Sequence, residues 1–391
     1  MPELSDFAVE IRKWLTDHAD ELAEFRRPHP GPIEATWELE QRLHRTLYDA
    51  GLLRWGWPAE CGGLGGSPLL RAVLHEELGA AGLPILESLQ QLEVIGSTVV
   101  VFAPSIAAEH LPAALRGDEL WCMGSSEPDA GSDLASLRTR AEPDGDCYRV
   151  HGQKIWTSSG HLSRWCTLVA RTGRPENRHK GLTVFWLDMT SKGVEVRPIA
   201  CADGRNEVSE IFLEDVQIPR SRIIGEVNGG WRALMYFMQY ERGNFSWVRQ
   251  AWLHGRLAAG LAVAGADQPS SATSIAGDAY LALCSLRARS LGIVTRLAAG
   301  EYVGPEISEV KLLLADAEQT VFDAIRRLTA GAFEFGDDPD SALIRQLWSF
   351  SRAVTIYGGA SEVQKDIVAE RVMGLPRSES PTVMSNGKGR P

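Results

Sequence analysis

Residues 165–187 (WCTLVARTGRPENRHKGLTVFWL) contain two short runs of β-branched, aromatic and aliphatic residues, at 165–170 and 182–187. The segment between the runs is rich in Gly, Pro, Asn and charged residues, which is typical of a loop that joins two strands. Similar runs follow at 194–199 and 207–216. The middle of the chain therefore predicts a compact all-β domain, either a sandwich or a barrel.

The sequence on both sides of these strands has a helical pattern. Leu39, Leu43 and Leu47 recur at every fourth position, and Gly51 is placed to end that helix. Near the other end of the chain, a longer apolar stripe has helical spacing: Ile307, Val310, Leu314, Ala317, Val321, Ile325 and Leu328. Long helices without intervening strands pack as a bundle, so the order helical, β, helical predicts an α+β fold.

The length of 391 residues is too great for one ordinary core and favours several packed domains. We place an N-terminal helical domain at 1–118, a middle β-domain at 119–226 and a C-terminal helical bundle at 227–376. Residues 377–391 are rich in Ser, Gly and Pro and predict a flexible tail.

Composition and charge exclude several classes of function. The formal net charge of -11 disfavours nucleic-acid binding, which needs clustered Lys and Arg. No apolar stretch is long enough to span a bilayer, and the N-terminus lacks the basic start and apolar run of a signal peptide. The six cysteines include no Cys-x-x-Cys pair, so we expect no metal site and reduced thiols in a cytoplasmic protein.

Two stretches carry the chemical information. Residues 123–133 (MGSSEPDAGSD) combine hydroxyl side chains with a tight Pro/Gly turn, and residues 152–160 (GQKIWTSSG) place one indole before three hydroxyls. A flat heterocycle with polar edges, such as isoalloxazine, needs an aromatic wall and hydrogen-bond donors of this kind. Taken singly, each stretch is more often a Ser/Gly turn or a core tryptophan.

Together, the two stretches resemble the acyl-CoA dehydrogenase family, whose pattern is Thr-Glu-Pro-x-Ala-Gly-Ser-Asp followed by Gly-x-Lys-x-Trp-Ile-Thr-Asn. The glycine loop at 58–66 (PAECGGLGG) and the segments 356–364 (IYGGASEVQ) and 369–376 (AERVMGLP) are also similar to the family. The resemblance implies the same helical, β, helical fold, FAD as the cofactor and an acyl-CoA as the substrate. It also implies electron-transfer flavoprotein or a similar protein as the electron acceptor.

The resemblance assigns roles to individual residues. The positions that would bind the flavin are Met123, Ser125, Ser126, Ser132, Trp156, Thr157, Ser158, Gly359 and Glu362. Ser132 matches a position that also contacts the pantetheine arm of the substrate. Many members carry a base after the Tyr of the last-helix motif, but Gly358 stands at that position here. A minority place a Glu before an Arg on a C-terminal helix, which implies Glu241 as the base and Arg242 as its orienting or substrate-binding partner.

Two family elements that reach a neighbouring subunit's flavin are missing. No Arg-x-Gln-Phe-Gly occurs between Gly265 and Arg289, and no Gln-x-x-Gly-Gly-x-Gly occurs between Leu328 and Trp348. A symmetric tetramer of this chain would then bind each flavin without the usual Arg. A second dehydrogenase-like chain that supplies it is the simpler account, and such two-chain enzymes shorten steroid side chains in actinobacteria.

Three functions fit these residues. The leading one is FAD-dependent α,β-dehydrogenation of an acyl-CoA to a 2-enoyl-CoA. The second is a non-catalytic or half-site partner subunit of a heteromeric dehydrogenase, which Gly358 favours and the ring-lining residues oppose. The third is a flavin oxidase offshoot of the family, since sequence does not report the access of oxygen to reduced flavin.

Overall fold

The structure is a computed structural model that describes residues 2–265 and 270–377. The tail expected after Arg377 and the segment 266–269 lie outside the described residues. Of the helices in the described ranges, none is both long and apolar enough to cross a membrane.

In the described part of the chain, six helices precede the first strand, and they bear out the helical pattern of the N-terminal region. They are α1 (Leu4–Asp17), α2 (Ile33–Asp49), α3 (Leu69–Ala80), α4 (Glu87–Gln91), α5 (Ser97–Phe102) and α6 (Pro104–Leu115). Leu43 and Leu47 of α2 are buried, as the spacing predicts. Gly51 follows this helix with φ +78°, a left-handed conformation that favours glycine and ends the helix.

Within the described residues, eight strands form the middle of the chain, and the four predicted runs correspond to four of them to within three residues at each end. They are β1 (Trp121–Gly124), β2 (Arg140–Asp144), β3 (Cys147–Ser158), β4 (Trp165–Arg171), β5 (Leu182–Asp188), β6 (Val194–Pro198), β7 (Val208–Pro219) and β8 (Ile223–Ile224). Seven of them follow the order β6-β7-β3-β2-β4-β5-β8, and β1 pairs with β4 in parallel.

This β region is one hydrogen-bonded path of strands, in which a single residue pair, Arg140 with Arg171, joins β2 to β4. Phe185 and Leu187 of β5 share a buried core with Ile211 and Val216 of β7, although three strands separate β5 from β7 in the sheet. The sheet therefore curls so that strands from its two halves share one core, but its end strands β6 and β8 do not pair within the described residues, so it is not a closed barrel.

Six helices follow the sheet within the described ranges, as the C-terminal pattern predicts. They are α7 (Gly230–Ala264), α8 (Ser270–Ala298), α9 (Ile307–Leu328), α10 (Ala330–Phe335), α11 (Pro339–Phe350) and α12 (Ser361–Ile367). All seven residues of the predicted apolar stripe are buried in α9. Two charged residues, Lys311 and Glu318, are also buried in this helix, so its inner face is not purely apolar.

Helix α7 packs closely against the N-terminal helices, and this packing positions the candidate site. A side-chain carbon at Gly79 of α3 would lie 2.8 Å from the carbonyl carbon of Ala251 on α7. Only a glycine allows the two helix backbones to approach this closely. One hydrophobic core, which includes Leu74, Trp186 and Leu253, joins the helices on both sides to the sheet.

Candidate functional site

The turn that follows β1 is held in place by the carboxylate of Glu127. This side chain accepts hydrogen bonds from the backbone amides of Arg138 (2.6 Å) and Thr139 (2.8 Å) and from Nζ of Lys154 (2.8 Å). Burial opposes ionisation of Glu127, but Lys154 and these hydrogen bonds outweigh it and lower the pKa of the carboxyl group. Glu127 and Lys154 are therefore the structural anchors of this turn.

The same anchor brings the two sequence stretches together. Lys154 Nζ also donates to the carbonyl of Ser125 (3.1 Å), and the backbone amide of Ile155 donates to the carbonyl of Ser126 (3.0 Å). Ser125 and Ser126 consequently lie beside the strand that carries Trp156. Met123 and Ser158 are partly exposed on these two segments.

Trp156 occupies an unusual backbone position for a large aromatic residue. The pairing of β3 with β7 shifts register between Lys154 and Thr157, and Trp156 has φ +62° within this irregularity. Its side chain is 59% exposed. A register irregularity of this kind changes the direction in which a side chain points, and such irregularities are over-represented next to active sites. The strand thus presents the indole outward, where a planar group can stack on it.

Thr157 and Ser132 are placed differently from the other predicted cofactor positions. The Thr157 side chain is buried, and its hydroxyl finds no hydrogen-bond partner within residues 2–265 and 270–377. Ser132 is exposed, and its neighbour Asp133 accepts a hydrogen bond from Arg178 (2.6 Å) on the loop between β4 and β5. Glu362 is exposed in the first turn of α12.

Glu241 of α7 lies beside Gly358. A side-chain carbon at Gly358, which has φ +63°, would be 3.3 Å from Oε1 of Glu241 and 3.1 Å from Cε of Lys311. The other carboxylate oxygen of Glu241, Oε2, is buried and has no hydrogen-bond partner in the described part of the chain. The family resemblance gives two alternative positions for the base, 358 and 241, which are far apart in the sequence. In the structure they lie side by side, and the carboxylate at this place belongs to Glu241.

Arg242 hydrogen-bonds to the loop at Gly358, which lies beside Glu241. Its Nε donates to the carbonyl of Gly358 (3.1 Å), and Nη2 would lie 3.2 Å from a side-chain carbon at Gly359. Gly359, like Gly358, has a positive φ, at +103°. Both glycines are thus required by the backbone conformation and by the close approach of α7.

Two effects act in opposite directions on the pKa of Glu241. Burial raises the pKa of its carboxyl group, whereas the charges of Arg242 and Lys311 lower it, and the net pKa is raised. Lys311 is itself 2% exposed and donates to the carbonyl of Val354. Burial lowers the pKa of Lys311 to about 8, although the charge of Glu241 counteracts this effect.

Tyr357 is influenced both by Glu241 and by the charged side chains of Glu318, Arg249 and Glu207. Lys311 Nζ is 5.1 Å from the centre of the Tyr357 ring, and the Tyr357 hydroxyl oxygen is buried with no partner among the residues described. Burial, followed by the charges of Glu318, Glu207 and Glu241, raises the pKa of the phenol. Glu318 in turn holds Arg249 of α7 through two hydrogen bonds of 2.8 and 2.7 Å.

Sequence reasoning missed the side chains that surround Glu241. Lys311 and Tyr357 both feel the charges of Glu241 and Glu318, yet none of Lys311, Glu318 and Tyr357 was predicted. A signal was present for two of them, because Lys311 and Glu318 are seven residues apart and fall on the apolar face of α9. Charged residues on such a face require partners.

The exposed residues fit the flavin that the resemblance implies. An indole exposed at a positive φ, together with the small hydroxyl-bearing residues Ser125, Ser126 and Ser158, offers one aromatic face and several polar groups at its edge. These are the groups that an isoalloxazine ring requires. Met123 would add a polarisable contact to the same surface.

Three family models match the chain in succession. The model described as Acyl-CoA dehydrogenase, N-terminal domain, matches residues 8–118; the middle-domain model matches 122–216; and the C-terminal-domain model matches 228–373. The matches cover both parts of the candidate site.

Individual relatives match over almost the full length. The chain is 34% identical over 385 residues to Acyl-CoA dehydrogenase IpdE1 of Mycobacterium tuberculosis, which covers 96% of this chain and 99% of the relative. It is 30% identical over 395 residues to Acyl-CoA dehydrogenase FadE29 of the same organism, with 96% and 98% covered. The solved structure of the Tcur3481-Tcur3483 steroid ACAD superposes with a TM-score of 0.80 at 26% identity, covering 96% of this chain and 98% of that chain.

Proposed function

Because this chain belongs to the acyl-CoA dehydrogenase family, we propose that it dehydrogenates the Cα–Cβ bond of an acyl-CoA thioester with Glu241 as the base. The observation that carries this proposal is the carboxylate of Glu241, which has one buried oxygen without a partner among the described residues and stands against Gly358. The non-catalytic alternative rested on Gly358, and Glu241 at the same point supplies the carboxylate that Gly358 lacks.

The proton at Cα of a thioester is weakly acidic, so its removal needs a base that is poorly solvated and correctly placed. Burial raises the pKa of Glu241, which makes its carboxylate a stronger base than an exposed one. The positive charges of Arg242 and Lys311 lower the pKa of Glu241 and so favour the ionised carboxylate, which is the form that acts as a base. Arg242 also holds the loop at Gly358, which fixes the space in which Cα would lie.

FAD is the cofactor in this proposal, and when bound it would supply the acceptor for the β-hydride. Trp156 would stack against its ring, and Met123, Ser125, Ser126 and Ser158 would contact the ring and its edge. Thr157 would contribute through its backbone, because its side chain is buried. Gly359 and Glu362 would border the cofactor from the C-terminal domain, and Ser132 would contact the cofactor and the pantetheine arm.

Lys311 provides a test of the electrostatic balance at Glu241. The base acts only when ionised, so the rate falls as the pH drops through its pKa. Lys311→Met removes a charge that lowers this pKa, and we expect the acidic limb of kcat/KM against pH to move to higher pH. Lys311→Arg should keep the limb near its wild-type position, and the exposed Lys192→Met should not move it. A limb that is unchanged in Lys311→Met would contradict the assignment of Glu241.

The flavin site also supports a partner subunit. The sequence lacks the Arg-x-Gln-Phe-Gly and Gln-x-x-Gly-Gly-x-Gly segments that reach a neighbouring flavin in the family. One solved relative is the two-component Tcur3481-Tcur3483 steroid ACAD. We therefore propose that the chain works in the cytoplasm in a hetero-oligomer with a second dehydrogenase-like chain, and that it passes electrons to electron-transfer flavoprotein or a similar acceptor.

The partner proposal and the activity are tested with the same preparations. Purified alone, the chain should hold well under one FAD per chain, and co-expression with a second dehydrogenase-like chain from the same organism should restore the FAD content. Anaerobic addition of acyl-CoAs to the FAD-containing complex should then bleach the flavin absorbance. Full FAD occupancy of the isolated chain would refute the partner proposal, and absence of bleaching with every acyl-CoA would refute the dehydrogenase proposal.

A further inference from the structure

Charged side chains of α2, α4 and the segment before β7 interact with one another, and Glu207 among them acts on Tyr357. The backbone amide of Glu87 on α4 donates to Glu40 of α2 (3.0 Å), and Arg205 Nε lies 3.4 Å from Glu207 Oε2 before β7. Burial opposes ionisation of Arg205, but the charges of Glu207, Glu40 and Glu87 outweigh it and raise the pKa of its guanidinium. These four residues, Glu40, Glu87, Arg205 and Glu207, are here called the polar wall.

The polar wall adjoins both halves of the candidate site. The carbonyl of Glu207 accepts a hydrogen bond from the amide of Ser159 (2.6 Å), and the next residue of β7 pairs with Ser158, one of the predicted flavin contacts. On the other side, Glu207 and Glu241 both act on the pKa of Tyr357. The polar wall therefore borders the end of β3 that carries Ser158 and acts on Tyr357, the chain neighbour of Gly358.

The charges of the polar wall do not balance. Three carboxylates face one guanidinium, and the nearby Arg249 is committed to Glu318. Burial raises the pKa of Glu40 and of Glu207 to about 7 in each case, although Arg205 counteracts the effect. Near neutral pH, such groups can both donate and accept hydrogen bonds.

Two buried polar atoms beside the polar wall lack partners. The Gln90 side chain donates to Glu87 (3.0 Å), but its own oxygen, Oε1, is buried and unpaired within the described ranges. The hydroxyl oxygen of Tyr357 is also buried and has no hydrogen-bond partner within the described ranges. A buried polar atom without a partner is energetically costly. A purely structural link between domains would leave these costs uncompensated, whereas a polar ligand group would remove them.

We propose that the polar wall selects acyl groups that carry a hydroxyl or keto oxygen away from the thioester, in preference to plain alkyl chains. The inference rests on the proposed function, because it assigns the far end of the same acyl site. A site built to hydrogen-bond a substrate oxygen discriminates strongly against an analogue that lacks it, since its own polar groups are then left unpaired. An alkyl chain would bury these carboxylates without replacing their hydrogen bonds.

The test measures binding apart from turnover. Calorimetry on the FAD-containing Glu241→Gln complex would compare hexanoyl-CoA and octanoyl-CoA with their ω-hydroxy counterparts. We expect the better ω-hydroxy thioester to bind about tenfold or more tightly than its alkyl counterpart. Glu207→Leu, alone and with Glu40→Leu, should remove most of this preference without weakening alkyl binding, because leucine can neither donate nor accept a hydrogen bond. Glu176→Leu, at an exposed position, serves as the matched control.

The outcomes separate this inference from the proposed function. Alkyl thioesters that bind as tightly as their ω-hydroxy counterparts, while both bleach the wild-type flavin, would overturn the inference and leave the dehydrogenase proposal intact. An equal loss of binding for alkyl and ω-hydroxy thioesters in the Glu207→Leu complex would also overturn the inference, because Glu207 would then support the structure and not the selection. Failure of every thioester to bind or to bleach would reject the proposed function itself.

Discussion

Replacement of Glu241 by glutamine is expected to slow the reduction of the flavin by an acyl-CoA about 10²- to 10⁴-fold, the usual contribution of a positioned general base. The amide keeps the shape of the side chain beside Gly358 but cannot accept the α-proton. The FAD content should be unchanged, because Glu241 lies on α7 and the predicted ring contacts lie on the β1 turn and β3. Stopped-flow absorbance under anaerobic conditions measures the rate directly.

Glu226→Gln is the matched control for this prediction. Glu226 is an exposed carboxylate just before α7, so the same change of charge there should leave the rate and the FAD content near wild-type values. Bleaching of the Glu241→Gln complex at the wild-type rate would show that another group removes the proton. A colourless but folded variant would indicate instead that Glu241 supports the cofactor site.

The parts of the fold that were predicted depend on local patterns. The run at 182–187 became β5 (Leu182–Asp188), and the stripe from Ile307 to Leu328 became α9 with the same limits. Alternation and helical periodicity are set by which neighbours share a face, and a single sequence records this. The choice between sandwich and barrel depends on strand pairing across the whole domain, so the sequence left it open.

The candidate site was predicted only in part, for a related reason. Trp156 and the serines before it lie in two short motifs, and the resemblance located them. The surroundings of Glu241 come from three separate helical or loop segments, at Glu241, Lys311 and Gly358. No spacing rule connects residues so far apart in the chain, because their proximity arises from how α7, α9 and the last loop pack.

The polar wall illustrates the same limit more strongly. Glu40, Glu87 and Glu207 each look like ordinary charged residues of helices or loops, for which an exposed position is the usual outcome. The burial of Glu87 and the partial burial of Glu40 and Glu207 become visible only when the N-terminal helices are placed against the sheet. Lys311 and Glu318 differ, because their position on an apolar helical face is enough to mark them as buried charges from the sequence alone.

The buried pair of Arg249 and Glu318 should have the largest effect on stability. Glu318 is 0% exposed and binds Arg249 through two short hydrogen bonds between α9 and α7. Glu318→Ala leaves the guanidinium buried without its partner, which typically costs about 3–5 kcal/mol. We expect the free energy of unfolding in urea to fall by that amount, and because α7 carries Glu241, flavin reduction should weaken as well.

A second ion pair on the same helix supplies the control. Glu309 pairs with Arg289 at 2.8 Å, but both side chains are about one-third exposed, so Glu309→Ala should cost about 0–1 kcal/mol. Combining Glu318→Leu with Arg249→Met should cost less than Glu318→Ala alone, because no unpaired charge remains in the core. Equal losses in Glu318→Ala and Glu309→Ala would mean that the buried pair does not hold α7 against α9. The position of the base would then depend on the surrounding apolar packing alone.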